Sequence, residues 1–192
     1  MRFVLLATLA ALTASPALAQ PYGSPPPTDA GRVNVTTAPP LHDPSRYYGE
    51  RDLAGLATDL ASTVQHALAH PRGPAPVAVD LVIEDAKPNR PTFDQLGHET
   101  SLSMNSIAIG GAKIGGWATL RDGSRVPVRF AWYESDLRSE YGPSTWSDAD
   151  RAFDMLAERL SRGDIPQQYG HNDLSRRGTD FGERWPRSRW PQ

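Results

Sequence analysis

The stretch AKIGGWATLRDGSRVPVRFAWYE, residues 112–134, decides the fold. On either side of Asp122-Gly123 the chain is rich in branched and aromatic side chains, so 112–121 and 125–134 are expected to form two strands. Asp-Gly at the centre fits a two-residue type I′ turn, because both residues tolerate positive φ. That turn would set Trp117 opposite Val128, Thr119 opposite Val126, Gly115 opposite Phe130 and Lys113 opposite Trp132. Large side chains would then cover small ones across the pair. Pro127 has no N–H to give a ladder, which points to an edge or a non-bonded position. Gly110-Gly111 and Gly115-Gly116 flank Ala112-Lys113-Ile114. They predict a bulge, a sharp bend, or another chain packed close against this strand.

Reading outward, Ser147-Asp148-Ala149-Asp150 opens a helix as a variant capping box. Its apolar stripe is Ala149, Ala152, Phe153, Leu156, Ala157 and Leu160, and Gly163 stops it. Upstream, Val77, Val79, Leu81 and Ile83 alternate as a strand with one buried face. Before that, Leu53, Leu56, Ala57, Leu60, Ala61, Val64 and Leu68 line one side of a helix within 45–69, closed by Pro71, Gly73 and Pro74. Residues 85–101 carry no period and read as a long loop, and 102–109 as a short strand. The expected fold class is α+β, one domain over 45–163. It has a small antiparallel-rich sheet with a central hairpin and two amphipathic helices packed on one face.

The two ends read differently. Residues 1–19 carry Arg2, an apolar run from Phe3 to Ala14, and Ala17-Leu18-Ala19, the pattern of a cleavable signal peptide. The apolar run falls short of the roughly 20 helical residues that span a bilayer. Cleavage would leave about 170 residues, one domain's worth, outside the cytoplasm. Residues 20–44 read as a Pro-rich linker, within which Arg32–Thr37 alternates like a strand suited to a sheet edge. Residues 164–192 read as a polar, basic, Trp-containing tail without order of its own. There is no cysteine, hence no disulfide, no thiolate nucleophile and no lipid-anchored signal. The formal net charge of −2 favours no class of partner.

Candidate chemistry is sparse. His66 and His70 stand one helical turn apart, a zinc-binding spacing, but Ala67 occupies the place of the glutamate that zinc peptidases use as base. Two solvated histidines near a helix C-terminus are the favoured reading, so no metal and no cofactor is expected. Asp94, His98 and Glu99 lie together in the long loop and supply the groups of an acid–base site, without a nucleophile elbow. Glu134, Asp136, Glu140, Asp148 and Asp150 surround Trp132, Tyr133 and Trp146, a composition that suits a glycosidase. Yet Asp148 and Asp150 already suit a helix start, and Trp132 the core. In the tail, Trp185, Arg187 and Trp190 interleave cations and indoles. Asn89, Arg90, Asp94, His98, Glu99, Gly110, Gly111 and these three tail residues form the candidate binding set.

Lys87-Pro88-Asn89-Arg90-Pro91-Thr92, Ser106 to Ala112, Asp122-Gly123, Trp132-Tyr133 and Thr145 to Ala149 together give a further pointer. Over residues 75–162 the chain resembles small secreted proteins of Gram-negative bacteria that carry a domain without assigned function. The resemblance implies an exported protein and brings no catalytic residues. The order of elements also looks like small envelope modules that assist outer-membrane or cell-wall machinery. The expectation is a periplasmic accessory or binding module whose partner is an envelope protein, peptidoglycan or an anionic lipid headgroup, with no role for nucleic acid. The alternative is a periplasmic hydrolase or metal-dependent enzyme built on the His98/Glu99 loop.

Overall fold

The hairpin forms, one residue out of the expected register. In the computed structural model, which describes residues 31–136 and 144–170, its strands are β3 (Gly111–Thr119) and β4 (Arg125–Tyr133). Leu120 N–H donates to Ser124 O at 2.9 Å, and Gly123 N–H donates to Leu120 O at 3.0 Å. Arg121, Asp122 and Gly123 thus make a three-residue loop: a type I turn followed by Gly123 at φ +83°. The Asp122 carboxylate accepts from the Ser124 hydroxyl at 2.6 Å and the Ser124 N–H at 2.9 Å. These bonds fix the turn and hold the Asp122 carboxyl below its ordinary range.

The extra loop residue shifts every pair. Trp117 faces Pro127, Gly115 faces Arg129 and Ile114 faces Phe130. A one-residue slip moves a strand's side chains to the opposite face. The core explains which register wins. Val128 and Phe130 now share the buried side with Ala112, Ile114 and Ala118. Trp117 is turned to the other side, 47% exposed, with the Arg125 guanidinium 5.5 Å over its ring. Pro127 costs the sheet no bond. It has the same parity as Arg129, whose N–H points off the outer side of β4 to Pro166 O at 2.7 Å.

Two further strands complete a mixed, mostly antiparallel sheet in the order β1-β2-β3-β4. β2 (Ala78–Lys87) runs antiparallel to β3, with an irregularity between Ile83 and Asp85. β1 (Arg32–Thr37) lies at the edge, parallel to β2. A parallel neighbour needs a crossover, and α1 (Glu50–Ala69) supplies it. α1 buries Leu53, Leu56, Leu60, Val64 and Leu68. α3 (Ser147–Arg162) buries Ala149, Ala152, Phe153, Leu156, Ala157 and Leu160. Both stripes join one cluster with Val79, Leu81, Ile83 and the inner side chains of β3 and β4, so the two helices cover one face of the sheet. Each buried Leu contributes roughly 1.5–3 kcal/mol.

Four expectations need correction. The strand expected at Arg32–Thr37 forms at the sheet edge, but the residues after it are not a linker: Leu41, in a 3-10 turn at Pro39–His42, is fully buried. Residues 85–101 are not a plain loop, since β2 runs on to Lys87 and a short helix, α2, occupies Phe93–His98. No strand forms over 102–109. Residues 164–170 are placed, with Ile165 against the core and Gln167 bridged to Arg129. Residues 1–19, where a signal peptide is expected, residues 20–30 and residues 171–192 lie outside the described residues, as do Trp185, Arg187 and Trp190.

Where α1 and α3 meet, burial pushes the Asp150 carboxyl from 3.8 up to about 6, helped by the charges of Asp59 and Asp154. A carboxyl whose folded value is raised leaves stability intact while both states are protonated and removes it as pH climbs from about 4 to about 6. Asp150→Asn should therefore be more stable than the natural chain above pH 6, by about 1 kcal/mol for a half-exposed group, and no more stable below pH 4. Urea unfolding across that range reads the difference. The register makes a second prediction. Phe130→Ala should cost about 3–5 kcal/mol, and Trp117→Ala about 1 kcal/mol or less, since only the first opens a hole in the core.

Candidate functional site

The segment between β2 and β3, residues 88–110, holds most of the candidate residues and is stapled at both ends. Asn89 is fully buried, and its four polar groups are all engaged. Its N–H donates to Thr145 O at 3.0 Å and its carbonyl accepts from Ala108 N–H at 3.0 Å. Its side-chain amide donates to Ser144 O at 3.2 Å and accepts from Asp148 N–H at 3.3 Å. Asp148 in turn accepts from Gly110 N–H at 3.1 Å. Gly110 O accepts from Glu134 N–H at 3.0 Å. A side chain at Gly110 would meet Asp148 and Asn89 at 2.9–3.0 Å, so the glycine permits this approach.

The second staple is α2. Thr92 and Gln95 form a reciprocal capping box. Both also reach across to the segment before α1. The Thr92 hydroxyl donates to Tyr47 O at 2.8 Å, and the Gln95 amide donates to Arg46 O at 3.1 Å. Tyr47 sits in the left-handed region at φ +52°, an uncommon conformation for a non-glycine residue. Its ring stacks on His98 with centroids 4.2 Å apart. Beneath, Asp85 accepts from Arg46 Nη1 and from the Tyr133 hydroxyl, both at 2.7 Å. All three bury most of their side chains, so the ion pair works in a low-dielectric setting and fixes Arg46 beside α2.

The acid–base residues do not converge. His98 Nδ1 bonds the Asp94 main-chain oxygen at 2.8 Å. The Asp94 carboxylate lies instead beside Gly49, next to Asp52. Burial raises the Asp52 carboxyl, with the Asp94 charge adding to it, against a bond from Gly49 N–H. Glu99 ends α2, its N–H donating to Gln95 O at 2.9 Å. Arg90 Nη1 approaches Met104 O at 3.5 Å. The glycine-flanked strand is no docking edge either: β3 is interior, with Gly111 paired to Lys87 on one side and Tyr133 on the other. Close packing against the glycines does occur, from within the chain. Gly115 lies beneath the Glu84 carboxylate, which accepts from the Tyr169 hydroxyl at 2.8 Å.

Beside exposed polar residues such as Asp94, His98, Ser103 and Asn105, the segment offers solvent three large apolar side chains. Phe93 is 82% exposed, Met104 60% and Ile107 43%. The bonds from Asn89 to Ala108 and from Arg90 to Met104 hold the two limbs carrying them side by side. None of the three belonged to the expected set. The readable signal is Thr92-Phe93-Asp94-Gln95, a capping box that starts a helix with a phenylalanine that lacks a stripe to join. Among the described residues no helix is long and apolar enough to cross a membrane.

The chain matches no family model, no curated protein and no solved structure.

Asn89→Ala removes two buried side-chain bonds and should cost about 2–4 kcal/mol. It should also speed protease cleavage within 88–110 well before global unfolding. Limited proteolysis compared with urea unfolding separates the two effects.

Proposed function

We propose that the chain is an exported accessory or binding module of a Gram-negative cell envelope, and that segment 88–110 is the surface with which it holds a partner protein. The observation that carries this reading is the display of Phe93, Met104 and Ile107 on a backbone stapled by Asn89 and the α2 capping box. Exposed apolar side chains gathered on one segment mark contact sites. Rigid presentation lowers the ordering cost of association. Arg90, Asp94, His98 and Glu99 lie in the same segment and give that surface a charged rim. Export rests on the signal-peptide pattern of 1–19 and on the resemblance to small secreted proteins. Trp185, Arg187 and Trp190 supply a second contact, suited to anionic headgroups or peptidoglycan carboxylates.

The hydrolase reading lacks a comparable observation. The His98 ring is committed to Asp94 O and to Tyr47, and the Asp94 carboxylate points elsewhere.

Cross-linking in the native envelope, followed by affinity measurement with the partner recovered, tests the proposal. Phe93→Ser with Met104→Ser should weaken the complex more than about tenfold, the loss of one or two contact anchors. Truncation after Gly170 should weaken it less. Equal binding by the double variant and the natural chain would reject segment 88–110 as the contact.

A further inference from the structure

The groove between α1 and α3 is untouched by the function proposed above. It is an open cleft of about 470 Å³ lined by Thr63, His66, His70 and Arg72 on one side and Asp154, Glu158 and Ser161 on the other. His66 and His70 sit one turn apart on α1 with ring centroids 5.0 Å apart and planes within 15° of parallel. Both histidines are exposed, so their ring nitrogens are accessible from the groove. Glu158 is occupied, accepting from Arg72 at 3.4 Å and Arg162 at 3.2 Å. Asp154 has no cationic partner among the described residues. Its charge reaches Asp150 one turn earlier on α3, where, after burial and the Asp59 charge, it helps to raise that carboxyl.

We infer that His66 and His70 chelate one divalent first-row transition metal ion at the mouth of this groove. The spacing of i and i+4 on a helix brings two imidazoles to one ion after small side-chain rotations. Imidazole pairs take Zn²⁺, Ni²⁺ and Cu²⁺, with Cu²⁺ held most tightly. Among the described residues no set of three or more His, Asp or Glu is placed to ligate together. The ion therefore keeps water at its other positions, and the negative charge of Asp154 across the groove adds attraction without a bond. A site of this kind binds reversibly and is neither a closed structural centre nor a built catalytic one.

Titration of the tag-free chain with ZnCl₂ and CuCl₂ in a calorimeter is the test, with Cu²⁺ electron paramagnetic resonance as an independent readout. One equivalent should bind, and two imidazole nitrogens should split the Cu²⁺ signal. His66→Ala and His70→Ala should each weaken binding more than about tenfold, no less than the loss of a supporting residue costs. Thr58→Ala, on the same helix and away from the histidines, should leave affinity unchanged. Affinity that survives either histidine substitution, or a Cu²⁺ signal carrying fewer than two nitrogens, would overturn the inference.

Discussion

The buried amide of Asn89 is the tie on which the far end of the molecule depends. It lies just beyond β2 and bonds at once to the 144–145 turn, the start of α3 and the 108 backbone. A buried amide whose side-chain nitrogen and oxygen are both bonded stabilises its surroundings, whereas the same group left unbonded would destabilise them. Through Asp148 the tie extends to Gly110 and so to the first residue of β3. The helix layer, the sheet and the long connection are held in one geometry by a residue that composition alone suggests should face solvent.

The second constraint is electrostatic. Asp85 is buried between Arg46 and the Tyr133 hydroxyl. A lone carboxylate there would be costly, and a charged partner plus a hydroxyl offsets that cost. Because Arg46 also lends its carbonyl to Gln95, the ion pair and the α2 capping box lock each other. The exposed Phe93 is therefore the outer side of a polar lock, and its rigidity comes from groups that lie beneath it.

Much of this was legible in the residues. The helix stripes of α1 and α3, the buried face of β2 and the stop at Gly163 follow from periods and caps, and the structure keeps them. The α+β class follows as well. The hairpin was found and its register missed. Asp-Gly fits either a two-residue loop or the last two places of a three-residue one, and only the demand that Val128 and Phe130 reach the helix layer decides between them. The alternation of Val33 and Val35 gave the edge strand, whereas Leu41 went unread because prolines surround it. Of the candidate site, the segment was legible and its exposed apolar residues were not. Asn89, Gly110 and Gly111 carry strong local signals because they build the frame. Phe93, Met104 and Ile107 fit no period, and only Phe93, inside a capping box without an apolar stripe, carries a local signal that the core leaves it out.

The two rims of the sheet are not alike. Along β4 the outer side is already occupied, since Arg129 gives its N–H to Pro166 and bridges Gln167. Along β1 no described strand takes the outer side. Edge strands invite neighbours, and this one has neither a lysine nor a proline nor a bulge to discourage them. A sheet bare at both rims can recruit copies without limit and grow into a fibre. Where one rim is engaged from within the chain, as at Arg129, that route of growth is cut on one side.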